Sequence, residues 1–153
     1  ELLDRLQGMH RAIETSGYAS TDVFQSVLDR VELVYFDIKM MDSQKHREYT
    51  GVLNDKILKN AAILKQSDTP FIIRIPLIPG VNDNYENLHA AADFLKGSSR
   101  MIRVEILPYN KMAGAKYTML GMKYEPGIDE ARQPMANMAQ KIFEGYGIPV
   151  KVL

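Results

Sequence analysis

At 153 residues, 46% of them hydrophobic, the chain is long enough for one packed core and too apolar for a disordered segment. Nineteen Lys plus Arg balance nineteen Asp plus Glu, so no net field favours nucleic acid or an anionic membrane surface. With no Cys, these residues supply neither a disulfide nor a thiolate-held zinc or iron–sulfur site, and no apolar run reaches the length of a membrane span.

The chain opens without Met in Glu1-Leu2-Leu3-Asp4-Arg5-Leu6, a helical stripe that reads as a cut through a longer protein, and a fragment is expected. No signal-like amino-terminus is seen, which makes the cytoplasm the default location. Gly8 is placed to end the first helix, and Met9 to Thr15 reads as a strand closed by Ser16-Gly17. Ser20 or Thr21 caps a helix whose apolar positions are Val23, Phe24, Val27, Leu28 and Val31.

The run Leu33-Val34-Tyr35-Phe36-Asp37-Ile38-Lys39 follows, a β-branched and aromatic strand. Strand side chains alternate, so Tyr35, Asp37 and Lys39 share one face and Val34, Phe36 and Ile38 the other. Asp42 caps a short helix from Ser43 to Tyr49 that Gly51 breaks. Asn54 caps another, with Ile57, Leu58, Ala61 and Leu64 inward. A third strand starts at Phe71 and runs through Arg74 towards Pro79-Gly80, its prolines confined to the exit.

Val81 to Asn84 is a turn into a helix striped by Leu88, Ala91, Ala92 and Leu95. Ile102 to Leu107 is a fourth strand, leaving through Pro108-Tyr109-Asn110. Lys111 to Gly127 is a long irregular segment with Tyr117 and Met119 as candidate anchors. Asp129 to Tyr146 reads as helix, interrupted at Pro134, with Met135, Met138, Ile142 and Phe143 inward. Ile148 to Leu153 closes the chain as a short strand.

This alternation predicts an α/β fold, a single domain over 1–153, with a parallel sheet and right-handed crossovers. Glu14, Thr15, Asp37, Lys39 and Asn110 fall at or just past the carboxyl ends of successive strands, and Arg74 lies one step deeper. Active sites of (β/α) barrels assemble from such positions. A closed eight-strand barrel needs roughly 250 residues, so four repeats predict an incomplete, TIM-like partial barrel. No glycine-rich phosphate loop follows the first strand, which argues against dinucleotide binding.

Five motifs occur in order: Ile13-Glu14-Thr15-Ser16-Gly17-Tyr18, Phe36-Asp37-Ile38-Lys39, Tyr49-Thr50-Gly51-Val52, Ile73 to Gly80 with Asn82-Asp83, and Leu107-Pro108-Tyr109-Asn110. Together they resemble the carboxyl-terminal part of the glycyl-radical enzyme activating enzymes, of the pyruvate formate-lyase activating type, in the radical S-adenosylmethionine superfamily. The resemblance runs from about His10 through Tyr124 and more weakly to the end. The family's CxxxCxxC loop and Gly-Gly-Glu motif are absent from these residues.

The resemblance implies S-adenosylmethionine and a 4Fe-4S cluster held by Cys outside this segment. It also implies an electron donor such as flavodoxin or ferredoxin, and a glycyl-radical enzyme as partner. In that family the cofactor is cleaved to methionine and a 5′-deoxyadenosyl radical, which takes hydrogen from a glycine of the partner. Carried over residue by residue, Asp37 and Lys39 match the family's D-x-K motif, which contacts the cofactor's ribose and carboxylate. Glu14, Thr15, the Tyr35 carbonyl and Asp37 match a monovalent-cation site. Arg74 matches an Arg facing the cofactor or the glycyl loop, and Asn110 stands where the pyruvate formate-lyase branch carries a cofactor-contacting His. That branch has Asp at the position of Glu14.

Plainer readings stand beside these. Glu14 is also a candidate solvated strand end, and Arg74 a candidate structural ion pair with Glu14, Asp37 or Glu105. His10, His46 and His89 have no metal-ligand spacing. Lys45-His46-Arg47 and the Lys56 to Lys59 stretch read as solvated helix faces, and the methionines as core filler. Two other functions remain open: a Schiff-base lyase or aldolase on Lys39, and a non-catalytic docking module for the glycyl-radical protein. A carboxylate two residues away favours the ammonium, the wrong form for a Schiff-base nucleophile. A truncated barrel also predicts self-association through the Met9–Thr15 edge, unless Ile148–Leu153 or the Lys111–Gly127 segment folds over it.

Overall fold

The computed structural model describes residues 2–6, 8–109, 117–123 and 135–153. A short helix α1 (Leu2–Arg5) leads to β1 (Ala12–Thr15), α2 (Thr21–Leu28), β2 (Leu33–Asp37), α3 (Ser43–Thr50) and α4 (Asp55–Gln66). Then come β3 (Phe71–Leu77), α5 (Tyr85–Leu95), β4 (Met101–Pro108), α6 (Ala136–Gly145) and β5 (Val150–Val152). The strands form one sheet in the order β1-β2-β3-β4-β5, every neighbouring pair parallel. This is the α/β partial-barrel arrangement expected from the alternating pattern. The last strand lies beside β4, so it does not return to cover β1.

Period-two alternation sorts the strands into two faces. Val34, Phe36, Ile73, Ile75, Leu77, Val104 and Ile106 are buried in one cluster with Phe24, Leu28, Ala61, Leu64, Leu88, Leu95 and Phe143 of the helices. Each fully buried large side chain contributes roughly 1.5–3 kcal/mol relative to exposure. Phe36 is central: its ring meets Phe24 edge-on at 5.8 Å, and a Cβ on Gly17 would sit 2.3 Å from it. Gly17 also holds φ +68°, so the turn after β1 requires glycine for both space and backbone.

Helix ends follow the capping residues in part. Asp42 accepts from the Lys45 N–H at 2.8 Å, and Asn84 from the Asn87 N–H at 3.0 Å. Asn54 stands at the start of α4 without capping it, and its amide goes elsewhere. Asn60, not Leu58, takes an inward place on α4, donating to the carbonyls of Gly17 and Ala19 at 2.8 and 3.1 Å. Helix α6 covers the second part of the expected 129–146 helix; its first part, with Pro134, lies outside the described residues. Of the two candidate anchors, Met119 is 87% exposed and Tyr117 half-exposed.

Candidate functional site

The face opposite the helices carries charge. Register places Asp37 of β2 beside Arg74 of β3, Arg74 beside Glu105 of β4, and Glu105 beside Lys151 of β5, an alternating row across four strands. Arg74 is the hub. Its guanidinium pairs with the carboxylate of Glu14, reaches Glu105 Oε2 through Nε at 3.4 Å, and lies 5.0 Å from the centre of the Tyr35 ring. Burial pulls the Arg74 pKa down, but the carboxylates of Glu14 and Glu105 outweigh it and the net shift is upward. Glu105, only 3% exposed, also accepts from Arg103 Nε at 3.0 Å and Nη2 at 2.6 Å. A carboxylate this buried needs such partners, because an unpaired one would be strongly destabilised.

At the carboxyl end of β2, Lys39 Nζ donates to Asp37 Oδ2 at 2.9 Å. The ammonium has three N–H groups and the carboxylate two oxygens, so the pair leaves donors and an acceptor for a ligand. Lys39 lines two cavities of about 340 and 230 Å3, which meet at Lys39, His46 and Thr50. One opens towards Pro76 and Ile78 at the exit of β3, the other towards Ser16 and Tyr18 after β1.

The backbone around Lys39 is held by three asparagines: Asn54 between α3 and α4, Asn82 between β3 and α5, and Asn87 in the first turn of α5. Asn82, buried, donates to the carbonyls of Lys39 and Pro76, both at 2.7 Å, and accepts from Ile78 N–H at 2.7 Å. Asn54 donates to the carbonyls of Met40 and Met41 at 2.8 and 3.0 Å. Asn87 accepts from Met41 N–H at 2.8 Å and donates to the Asn82 carbonyl at 2.9 Å. An amide side chain both donates and accepts, which suits the place where two strand exits leave unpaired backbone groups. Sequence reading took 81–84 as a turn and Asn54 as a cap.

Of the residues singled out from sequence, Glu14, Tyr35, Asp37, Lys39 and Arg74 gather on this face. Thr15 turns its hydroxyl to the Gly17 N–H at 2.9 Å. Asn110 lies outside the described residues. Among the described residues no three of His, Cys, Asp and Glu are grouped as a metal site. One sequence reading is corrected: Lys45 and Arg47 are exposed, but His46 between them is 3% exposed. His46 is the residue that α3, poor in apolar side chains, buries.

No protein-family model matches the chain. It is similar to the 4-hydroxyphenylacetate decarboxylase activating enzyme of Clostridioides difficile strain 630, 38% identical over 119 residues, covering 76% of this chain and 37% of that protein. It is 37% identical over 151 residues to the trans-4-hydroxy-L-proline dehydratase activating enzyme of Clostridioides difficile, covering 95% of this chain and 49% of the relative. Among solved structures, a domain of pyruvate-formate lyase-activating enzyme from Bacteroides vulgatus ATCC 8482 superimposes with a TM-score of 0.78 at 31% identity, over 99% of this chain and 87% of that one. The chain thus spans half or less of the two full-length relatives and most of the solved domain.

Proposed function

The chain belongs to the glycyl-radical enzyme activating enzymes, and we propose that it forms the cofactor-facing wall of a parent enzyme that generates a glycyl radical on a partner protein. The observation that carries this reading is the Asp37–Lys39 pair at a strand exit, with spare donors and an acceptor above two cavities. S-adenosylmethionine, the family's cofactor, presents a carboxylate and ribose hydroxyls, and these match what the pair leaves free. The Lys39 ammonium would hold the carboxylate and the second oxygen of Asp37 would accept from a hydroxyl. When bound, the cofactor supplies the radical chemistry; this chain's residues bind and orient it.

Arg74, paired with Glu14 and Glu105, is proposed to face the cofactor or the incoming glycyl loop, and Asn110 to add a further hydrogen-bonding contact. A monovalent cation would use Thr15, the Tyr35 carbonyl, Asp37 and Glu14, and would compete with Arg74 for the Glu14 carboxylate. The 4Fe-4S cluster does not fit these residues, none of which is Cys, so its ligands would come from outside the 153 residues. A flavodoxin or ferredoxin is the proposed electron donor, and the cytoplasm the proposed location. No helix among the described residues is long and apolar enough to cross a membrane. The names of the relatives point to a glycyl-radical decarboxylase or dehydratase as partner.

Titration calorimetry of this chain with S-adenosylmethionine tests the reading. Binding that weakens in both Asp37→Ala and Lys39→Ala supports it, and binding indifferent to both would sink it. Iron and sulfide added to this chain alone should give no cluster absorbance.

A further inference from the structure

Tyr49-Thr50-Gly51-Val52 builds a clamp around one imidazole. Gly51 ends α3 at φ +82° and turns the chain so that the Val52 carbonyl comes back to His46 Nδ1 at 2.7 Å. Thr50 Oγ1 lies 2.9 Å from the same nitrogen, and its hydroxyl donates to the His46 carbonyl at 2.7 Å. A carbonyl oxygen only accepts, so Nδ1 carries the proton, and in the neutral ring Nε2 is then an acceptor. Among the described residues Nε2 has no hydrogen-bond partner, and the residue, only 3% exposed, lines both cavities beside Lys39. An acceptor that lines a cavity and has no protein partner there is open to a donor from a ligand seated in it.

We propose that His46 is a further ligand-binding residue of this site, its Nε2 accepting an N–H or O–H from the nucleoside part of the cofactor; this rests on the cofactor reading above. The cavity chooses among donors. Its wall is mostly apolar, with Tyr49, Pro76, Ile78 and Val81, and the polar groups of Asn82 are already committed to backbone. A second ammonium would be desolvated there and repelled by Lys39, whereas a flat ring bearing a neutral hydroxyl or amine meets both the walls and the acceptor.

The chain has three histidines, so 15N imidazole spectra are simple, and His46→Asn assigns the relevant signals. Asn places an amide N–H near the position of Nδ1–H and removes Nε2. The expected spectrum shows His46 protonated at Nδ1, with an Nε2 signal that adenosine moves and methionine does not. His46→Asn should bind adenosine roughly two- to tenfold more weakly, the loss of one hydrogen bond, with Tm retained. A proton on Nε2, an Nε2 signal unmoved by saturating adenosine, or a response to methionine alone would each overturn the proposal. The wild-type titration decides even if His46→Asn unfolds. Failure of the cofactor reading looks different: S-adenosylmethionine binding would be indifferent to Lys39→Ala while adenosine still moved Nε2.

Discussion

Arg103 Nη2 lies 2.6 Å from Glu105 Oε1, so two guanidiniums converge on one buried carboxylate, Arg74 taking the other oxygen. Removing the carboxylate charge leaves both cations partly desolvated and uncompensated. Glu105→Gln should therefore destabilise the fold by about 2–4 kcal/mol, below the loss from a fully buried pair because both arginines keep solvent contact. Denaturant unfolding measures it. A change under half a kilocalorie, roughly the level of an exposed pair, would mean the carboxylate is not holding the row together.

Asn82 should link stability to ligand binding. Asn82→Ala frees the carbonyls of Lys39 and Pro76 and the N–H of Ile78, at about 1–3 kcal/mol for a buried unsatisfied group. Asn82→Asp keeps the acceptor for Ile78 but loses both donated bonds. The aspartate variant should fold yet bind S-adenosylmethionine less well. Unchanged affinity in a folded Asn82→Asp would show that the Lys39 backbone needs no such tether.

Much of the fold was legible because the physics is local. Alternation across β2 put Val34, Phe36 and Ile38 together on one face, and all three are buried. The same alternation set Tyr35, Asp37 and Lys39 on the opposite face. Edges were less legible: β1 begins at Ala12, not Met9, and Lys39 lies past the end of β2. The pairing of Arg74 with Glu14 and Glu105 was one of several open partners, because register is fixed by crossovers outside the strands. The asparagine tethers and His46 were not legible. Their role depends on which backbone groups two separate strand exits leave unpaired, and α3 offers no apolar stripe that would mark a buried face.

Lys39 separates two chemistries. Lys39→Ala should cost about 1.5–3 kcal/mol in S-adenosylmethionine affinity, the worth of a charge-assisted hydrogen bond. Borohydride with a carbonyl compound tests the lyase alternative, and mass spectrometry should find no adduct on Lys39. A covalent adduct there would favour Schiff-base chemistry.

Glu32 gives a pH dependence of known sign. Its carboxylate takes the Arg11 guanidinium at 2.6 Å as well as the Arg11 backbone N–H. That side-chain bond to Arg11, followed by the backbone bond, lowers its pKa from the usual 4.5 to about 2. The folded value is depressed, so the contribution is in place above about 4.5 and is lost as pH falls through about 2. The acid limb of a Tm-against-pH curve should flatten in Glu32→Gln between those values. Parallel curves for the two proteins would show that the pair does not act on folding.

Self-association is expected from the edge of the sheet. Strand β1 pairs only with β2 among the described residues, and β5 lies at the far edge beside β4. The outer side of β1 therefore presents backbone N–H and C=O groups that a second chain can pair, and such edges recruit strands unless blocked. Charge blocks it little, since Glu14, the acidic residue of β1, is drawn towards Arg74 on the sheet's face. Leu2 and Met9, both exposed and preceding β1 in the chain, add apolar surface. Sedimentation across a concentration series should show a reversible rise in mass. Hydrogen exchange should slow at residues 12–15 as the larger species forms, while the amides of β3, paired on both sides, stay protected throughout. A chain that remains monomeric at every concentration, with the β1 amides exchanging freely, would show that the edge is tolerated bare.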